Sequence, residues 1–436
     1  MIATITSSCR FSVRALLLAA VSMMLLAGCE KEKPAADEDE PIAVTSVQLT
    51  PSSLVLSEGE DASLELTVLP EDADDKRVVW SSSDEGVAAV DQTGKVTAVK
   101  EGKATVSVKS EDGGHEASCS VEVVPLDITA DLDPTFAQAL QDRGYIKDKN
   151  KILLRDVAGI KDLDISGERS SHGAAKALRG IRHFASLERL DVSYNDLGAI
   201  DKGIEGLTRL ESIVAYGNNI TSIILNISSL KTFLLSEWSN SELPLKTFEL
   251  TAPELRQLSV RSDGNWTVDL GKYPKLQVAE FSNLNTAGID LSLCPDLRGL
   301  TLNDIPLESL DLSKNVELDS VRISRTKVRK LDFSGLAKLK GYVRCDNNED
   351  LESVIFTSAN SGLEVLVCRS GKLGYLDISH LRKLTRFDCS ANTGNSDGEM
   401  VVSAWFDNSS VPDGFINSGW TRLGRRVTLV YKDVTK

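Results

Sequence analysis

Cys345, Cys368 and Cys389 follow one another at intervals of 23 and 21 residues. In a chain that repeats at that period they occupy one column of adjacent turns, and three stacked thiolates would make a soft-metal site. The same column is filled in other turns by Val192, Leu302 and Ile323, so cysteine fits there as a small hydrophobe. Zinc sites show close C-x-x-C or H-x-x-x-H spacing, and the sequence has neither. His115, His172, His183 and His380 are scattered, without an H-E-x-x-H. Asp148-Lys149-Asn150 opens like a calcium loop but lacks the glycine and terminal glutamate such a loop needs. No G-x-S-x-G, P-loop or dinucleotide fingerprint is present. The expectation is therefore no catalytic residue, no metal and no cofactor: a protein that is not an enzyme.

The composition agrees with a folded, acidic chain. Of 436 residues, 41% are hydrophobic and 26% charged, which argues against wholesale disorder and against a multi-span membrane protein. The length allows two or three domains. With 64 acids against 49 bases the formal charge is −15, so nothing in the total attracts nucleic acid. Seven cysteines are too sparse for a disulfide scaffold.

The first segment sets the compartment. Arg10 and Arg14 precede an apolar run from Ala15 to Gly28 that stops at Cys29. About 20 apolar residues are needed to span a bilayer, so this run reads as a secretory signal. Leu26-Ala27-Gly28-Cys29 resembles the bacterial lipobox. That resemblance implies removal of residues 1–28 and lipid (palmitate) on Cys29, which would anchor the chain to the membrane by lipid alone. The charge then becomes −17, because the removed segment carries two arginines and no acid. Residues 29–43 are rich in charge and read as a flexible acidic tether. Such tails resemble those of lipoproteins displayed on Gram-negative cells, which implies the outer membrane, facing the exterior or the periplasm.

Residues 44–124 change texture. Alternating runs such as Leu64-x-Leu66-x-Val68, Lys95 to Val99 and Ala104 to Val108 are punctuated by Gly59, Pro70, Gly86, Gly94 and Gly102, the pattern of an all-β sandwich with Trp80 as core aromatic. The strings Val79-Trp80-Ser81-Ser82-Ser83-Asp84, Val87-Ala88-x-Val90-Asp91 and Gly94-Lys95-Val96-Thr97-Ala98 resemble the bacterial Ig-like group 2 domain. The resemblance implies a spacer or adhesive module. Cys119 departs from it and should be a buried free thiol.

The rest of the chain repeats. Leading leucines fall at Leu187, Leu210, Leu230, Leu255, Leu276, Leu297, Leu318, Leu339, Leu363 and Leu384, mostly 20 to 25 residues apart. L-x-x-L-x-L at this period is the leucine-rich repeat pattern, in which each turn buries its apolar residues against the next. Leu310-Asp-Leu312-Ser, Leu331-Asp-Phe333-Ser and Leu376-Asp-Ile378-Ser mark a second, convex half-turn that is extended or 3-10. These repeats resemble the internalin-like leucine-rich repeats of bacterial surface lipoproteins over residues 131–436. The turn asparagine of that family stands at Asn195, Asn218, Asn348 and Asn392. It is replaced by Trp238, Asp263, Leu284, Ile305, Thr326 and Gly371, so the middle turns must close by other means. The divisions expected are a helical cap over 131–185, repeats over 186–400 and a C-terminal cap over 401–436. Asp133-Pro134 predicts a helix start, Gly144 its stop, and a second short helix is expected over Gly173–Leu178. The fold class is thus multi-domain: an Ig-like sandwich followed by a solenoid with a parallel sheet and few short helices.

Within L-x-x-L-x-L the alternate positions face outward and build the concave face. One outward column reads Asp191, Val214, Leu234, Ser259, Glu280, Thr301, Arg322, Arg344, Val367, Asp388, with one extra residue allowed before Arg344. Arg322 and Arg344 are then neighbours of like charge, suited to a carboxylate, sulfate or phosphate, or else to keeping the sheet soluble. Arg369 stands beside Asp346 and pairs with it or joins the ligand site. Tyr216, with Val214 and Leu234, offers an apolar patch. Trp238 lies in the one interval stretched to 25 residues, where it contacts a ligand or folds back over the solenoid. The function expected is a monomeric surface lipoprotein binding a protein or glycan partner. A glycan-capture accessory subunit of an outer-membrane uptake system is the alternative.

Overall fold

The computed structural model describes residues 40–236, 245–264, 266–394, 399–406, 415 and 427–432. No helix among them is long and apolar enough to cross a membrane.

The first unit is a β-sandwich. A four-stranded sheet runs Ser53–Ser57, Glu116–Val124, Gly102–Ser110, Val78–Ser82, and a three-stranded sheet runs Asp61–Ser63, Lys95–Ala98, Ala88–Val90. Ser46–Thr50 pairs antiparallel with Glu65–Leu69. Inward positions alternate as the sequence does, so Val96, Val106, Val108, Cys119 and Val121 join Trp80 in one core. Gly94 turns below the Trp80 ring with φ +84°. A Cβ there would lie 2.8 Å from a ring carbon, so both the backbone and the space call for glycine.

The second unit is the solenoid. Eleven strands form one sheet in chain order, from Asp162–Asp164 to Arg386–Asp388, and every pairing is parallel. Each strand is short because the next turn, and not its own length, supplies the burial. The leading leucines and the alternate strand residues (Leu300 and Leu302, Val321 and Ile323, Val343 and Cys345) form a core continuous from Ile128 to Phe415. A row of rings runs through the core from the stretched interval onward. Phe233, Phe248, Trp266 and Phe281 pack edge to face with centroids 6.0, 5.7 and 6.1 Å apart.

The convex side is extended or 3-10, as the Leu-Asp-x-Ser signature suggests. It has the pairs Ser222–Asn226 with Thr247–Thr251 and Lys330–Asp332 with Ser353–Ile355, and a final trio Tyr375–Asp377, Met400–Ala404, Val427–Tyr431. The signature has a direct cause. The carboxylates of Asp311, Asp332 and Asp377 accept the backbone N–H of Ser313, Ser334 and Ser379 at 2.8, 3.1 and 3.0 Å, closing an Asx turn in each repeat.

At the N-terminal end, helix Pro134–Asp142 is capped by Asp133, whose side chain accepts from Thr135 N and Phe136 N. Phe136, Ala137 and Leu140 are buried against the first turns, and Gly144 follows with φ +75°. The helix expected over Gly173–Leu178 is absent. Its donors are drawn into the turn instead: Gly173 N to Tyr194 O, Ala175 N to the Asn195 side chain, Lys176 N to Thr135 Oγ1. A Cβ on Gly173 would meet Asn195 Oδ1 at 2.2 Å, so the backbone is pressed onto the asparagine and cannot coil there.

Candidate ligand-binding face of the long sheet

Two sets of polar side chains hold the turns open to the same register. Asn195, Asn218, Asn348 and Asn392 donate to carbonyls of their own and the preceding turn. Asn348 Nδ2 reaches Ile323 O and Cys345 O at 2.8 and 2.9 Å while its Oδ1 accepts Thr326 N at 2.9 Å. The column immediately before it carries left-handed backbone in Tyr194, Asn283, Asp304, Arg325, Asn347, Ser370 and Ala391 as well as Gly217, which turns the chain away from the sheet. The opposite corner supplies a second set, in the turns of Tyr273 and Asn315, which lack that asparagine, and in the turn of Asn348 itself. Tyr273 Oη donates to Leu250 O at 2.8 Å, Asn315 Nδ2 to Leu291 O and Cys294 O at 2.9 Å each, and Asn360 Nδ2 to Phe333 O and Leu336 O at 2.9 and 3.0 Å. This second ladder was not foreseen. Its only sequence signal is a polar residue three positions before a leading leucine, in a column that elsewhere holds Phe184, Leu207 and Leu336.

The outward column lies in the register read from the repeat. Asp191, Val214, Leu234, Ser259, Glu280, Thr301, Arg322, Arg344, Val367 and Asp388 are successive pairing partners. Arg322 and Arg344 therefore stand on adjacent strands, about 4.8 Å apart. Both are half-buried, and neither has an ion-pair partner among the described residues. Arg322 Nε is buried with no hydrogen-bond partner, and an unmet buried donor of this kind costs about 1–3 kcal/mol. The Arg344 guanidinium carbon lies 5.9 Å from the centroid of the Tyr342 ring, within cation–π range. Tyr342 is exposed and was not singled out from the sequence, because the extra residue before Arg344 hides its column.

The other candidates fall elsewhere. Arg369 reaches Asp346 and also Asp388, each at 3.6 Å, and both carboxylates are largely buried, so its charge is met within the sheet. Tyr216 is half-buried five strand steps from Arg322. Its hydroxyl is pushed up by desolvation first, then by the carboxylates of Glu280 and Asp191. It belongs to a more acidic end of the face and does not join the arginine pair. Cys29 and Trp238 lie outside the described residues.

Cys345, Cys368 and Cys389 form the expected column and are buried. The Cys368 thiol is pushed up by its hydrogen bond with Cys345 and then by burial, and burial pushes Cys389 up. Cys294 is raised by burial to about 11, and its thiol donates to Tyr273 O at 3.6 Å. These are buried core thiols. Among the described residues no group of three His, Cys, Asp or Glu side chains could hold a metal ion.

Residues 43–121 match the bacterial Ig-like domain (group 2) family. Over 100 residues the chain is 41% identical to an alpha-L-arabinofuranosidase of Bifidobacterium longum, covering 22% of this chain and 9% of that protein. Over 82 residues it is 44% identical to the kappa-carrageenase of Pseudoalteromonas carrageenovora, covering 19% and 21%. The chain thus spans a small part of these relatives' length, and the similarity lies in their Ig-like parts. Among solved structures, the functional domain of InlJ from Listeria monocytogenes, described as including a cysteine ladder, is 15% identical with TM-score 0.30, covering 64% of this chain and 82% of that one. The leucine-rich repeat protein LIC12759 of Leptospira interrogans is 14% identical with TM-score 0.29, covering 63% and 97%. The described residues thus form an Ig-like domain, matched by that family over residues 43–121, followed by a parallel-sheet solenoid with few helices.

Proposed function

We propose that the protein is a non-catalytic binding module held at the cell surface by lipid on Cys29. The Ig-like domain acts as a spacer, and the outward face of the long sheet contacts a protein or glycan. One observation carries the reading: in an acidic chain, Arg322 and Arg344 stand side by side on that face without an ion-pair partner among the described residues. A stacked sheet needs no such pair for its own stability, since like charges on adjacent strands oppose pairing.

The alternative, a glycan-capture subunit of an outer-membrane uptake system, is favoured by relatives that share the Ig-like stretch and bear the names of glycan-cleaving enzymes. Both readings are tested by arrays of surface proteins and glycans probed with a chain starting at residue 30. A Ser259→Glu/Thr301→Glu variant, which puts bulk and negative charge on the face, should abolish capture, and retained capture would place binding elsewhere. The anchor is tested in cells fed a labelled fatty acid. Label should enter the full chain and be lost in Cys29→Ala, whereas label persisting in that variant would remove the anchor.

A further inference from the structure

We infer that Arg322 and Arg344 form the subsite for one acidic group of a polysaccharide, a carboxylate or sulfate seated between the two guanidinium groups. The inference rests on the reading of the outward face as the binding surface and names the class of ligand.

The charges argue for an anion. Two arginines in direct lateral register repel, and the acids nearby do not relieve them. Asp346 and Asp388 are held by Arg369. Glu280 is two strands from Arg322, about 10 Å at the usual spacing. The buried Arg322 Nε, without an acceptor, completes the demand. An oxyanion can take a forked pair of hydrogen bonds from one guanidinium while sharing the charge of the other.

The surroundings argue for sugar. Thr301 and Ser320 flank Arg322 across and along the sheet, with the half-buried Asn303 amide on the neighbouring strand; Ser324 is buried, its hydroxyl donating to Asn303 Oδ1 at 2.5 Å. Gly299 leaves the position beside Ser320 bare, with only Val278 within 4 Å of where its Cβ would be. Short hydroxyls and an amide beside an open backbone suit sugar hydroxyls. A protein interface would instead need a dry cluster of aromatic or aliphatic anchors. Tyr342 beside Arg344 gives one exposed ring on which a sugar can lie. From Gly299 and Ser320 the surface continues into a depression bordered by Arg298, Lys338 and Lys340 and by Glu317 and Asp319, where Asp319 accepts from Ser320 Oγ at 2.9 Å. Lys338 is held by Glu317, but Arg298 and Lys340 have no ion-pair partner among the described residues. With Lys338 matched by Glu317, Arg298 and Lys340 outnumber Asp319 there, so a polymer with repeated acidic groups can leave the arginine pair along this stretch.

Calorimetric titration of the chain from residue 30 onward tests this with four probes: a galacturonate oligosaccharide, a sulfated galactan oligosaccharide, a neutral galactan oligosaccharide and a poly-glutamate peptide. One of the two acidic sugars should bind, with affinity that falls as salt rises. Which one binds separates carboxylate from sulfate. Arg322→Gln/Arg344→Gln should weaken it at least tenfold with unchanged circular dichroism. Tyr342→Ala should weaken it several-fold without altering the salt dependence. If the glutamine variant does not fold, Arg322→Lys/Arg344→Lys keeps the charge but loses the fork, and it should still weaken binding several-fold. Equal binding by the neutral sugar, stronger binding by poly-glutamate, no binding of either acidic sugar, or unchanged affinity in the folded arginine variants would each overturn the inference. If the Ser259→Glu/Thr301→Glu variant still abolishes array capture in any of those cases, the broader reading stands and only the ligand class fails.

Discussion

The turns of the solenoid depend on single residues in single columns. Ser370 and Ala391 occupy left-handed backbone with φ +59° each, where an L side chain other than Asn or Asp costs about 1–2 kcal/mol. Glycine removes that cost and loses part of the gain through the unfolded chain. Ala391→Gly should therefore stabilise the solenoid by about 0.5–1 kcal/mol, read as a higher urea midpoint. A lower midpoint would mean that the methyl packs usefully. Asn348 lies at the other extreme. Its amide meets Ile323 O, Cys345 O and Thr326 N, all in a buried corner. Asn348→Ala should cost about 2–4 kcal/mol, the desolvation of several orphaned backbone groups, and a loss under 1 kcal/mol would show that water enters the turn. The arginine adjacency was legible in the sequence because lateral order follows from the repeat period once one extra residue is allowed before Arg344. The second acid of Arg369 was not, because Asp388 is its diagonal neighbour and column reading sees only lateral ones. Tyr342 was lost to the one-residue shift before Arg344.

At the scale of elements, period and alternation carried the sandwich and the parallel sheet, since each strand's inward residues must be apolar for the stack to close. The convex ladder was not legible. Tyr273, Cys294, Asn315 and Asn360 share a column with plain hydrophobes, and both types satisfy burial there. The span Gly173–Leu178 has residues with good helix propensity, but one glycine pressed on Asn195 outweighs propensity over so short a stretch. The final strand shows how elements are tied. Lys432, just past Val427–Tyr431, donates to Asp377 at 2.6 Å. Burial pushes the Asp377 carboxyl up, and the Lys432 ammonium with the Ser379 hydroxyl outweighs it and holds the carboxyl below its usual range. A depressed folded value means stability that is present above the unfolded carboxylate value near about 3.9 and lost as pH falls through the folded one. Asp377→Asn keeps an oxygen for Ser379 N but gives up the ion pair. Its urea midpoint should be lower at pH 7, and its decline from about pH 4 downward shallower. A decline parallel to the unsubstituted chain would remove Asp377 from the acid response.

At the scale of the whole molecule, the apolar residues divide into two cores without a shared member, Val44 to Val123 and Ile128 to Phe415. The side chains of Arg155 and Glu101 form an ion pair across the junction. Both are about half exposed, and such a pair couples two units only weakly. Two cores with weak coupling should unfold as two transitions, which substitutions can assign. Gly94→Ala places a methyl against Trp80 and forces a left-handed residue, a cost of about 2 kcal/mol or more. For a domain of this size that lowers the midpoint by roughly 10 °C. Asn348→Ala acts on the other core. In calorimetry of the chain from residue 30 onward, Gly94→Ala should move one transition and Asn348→Ala the other. Within the solenoid the loss at Asn348 should spread to neighbouring turns, because each turn is stable only against the next. If either substitution moves both transitions equally, or the chain melts in one step, the junction is stiffer than one exposed ion pair can make it. The Ig-like domain would then be part of the solenoid's cap, not a free spacer. Under the proposed anchor and binding face, that outcome would alter how far the face stands from the membrane, since a spacer hinged at its base lets the long sheet sweep for a ligand and a rigid cap holds it in one direction.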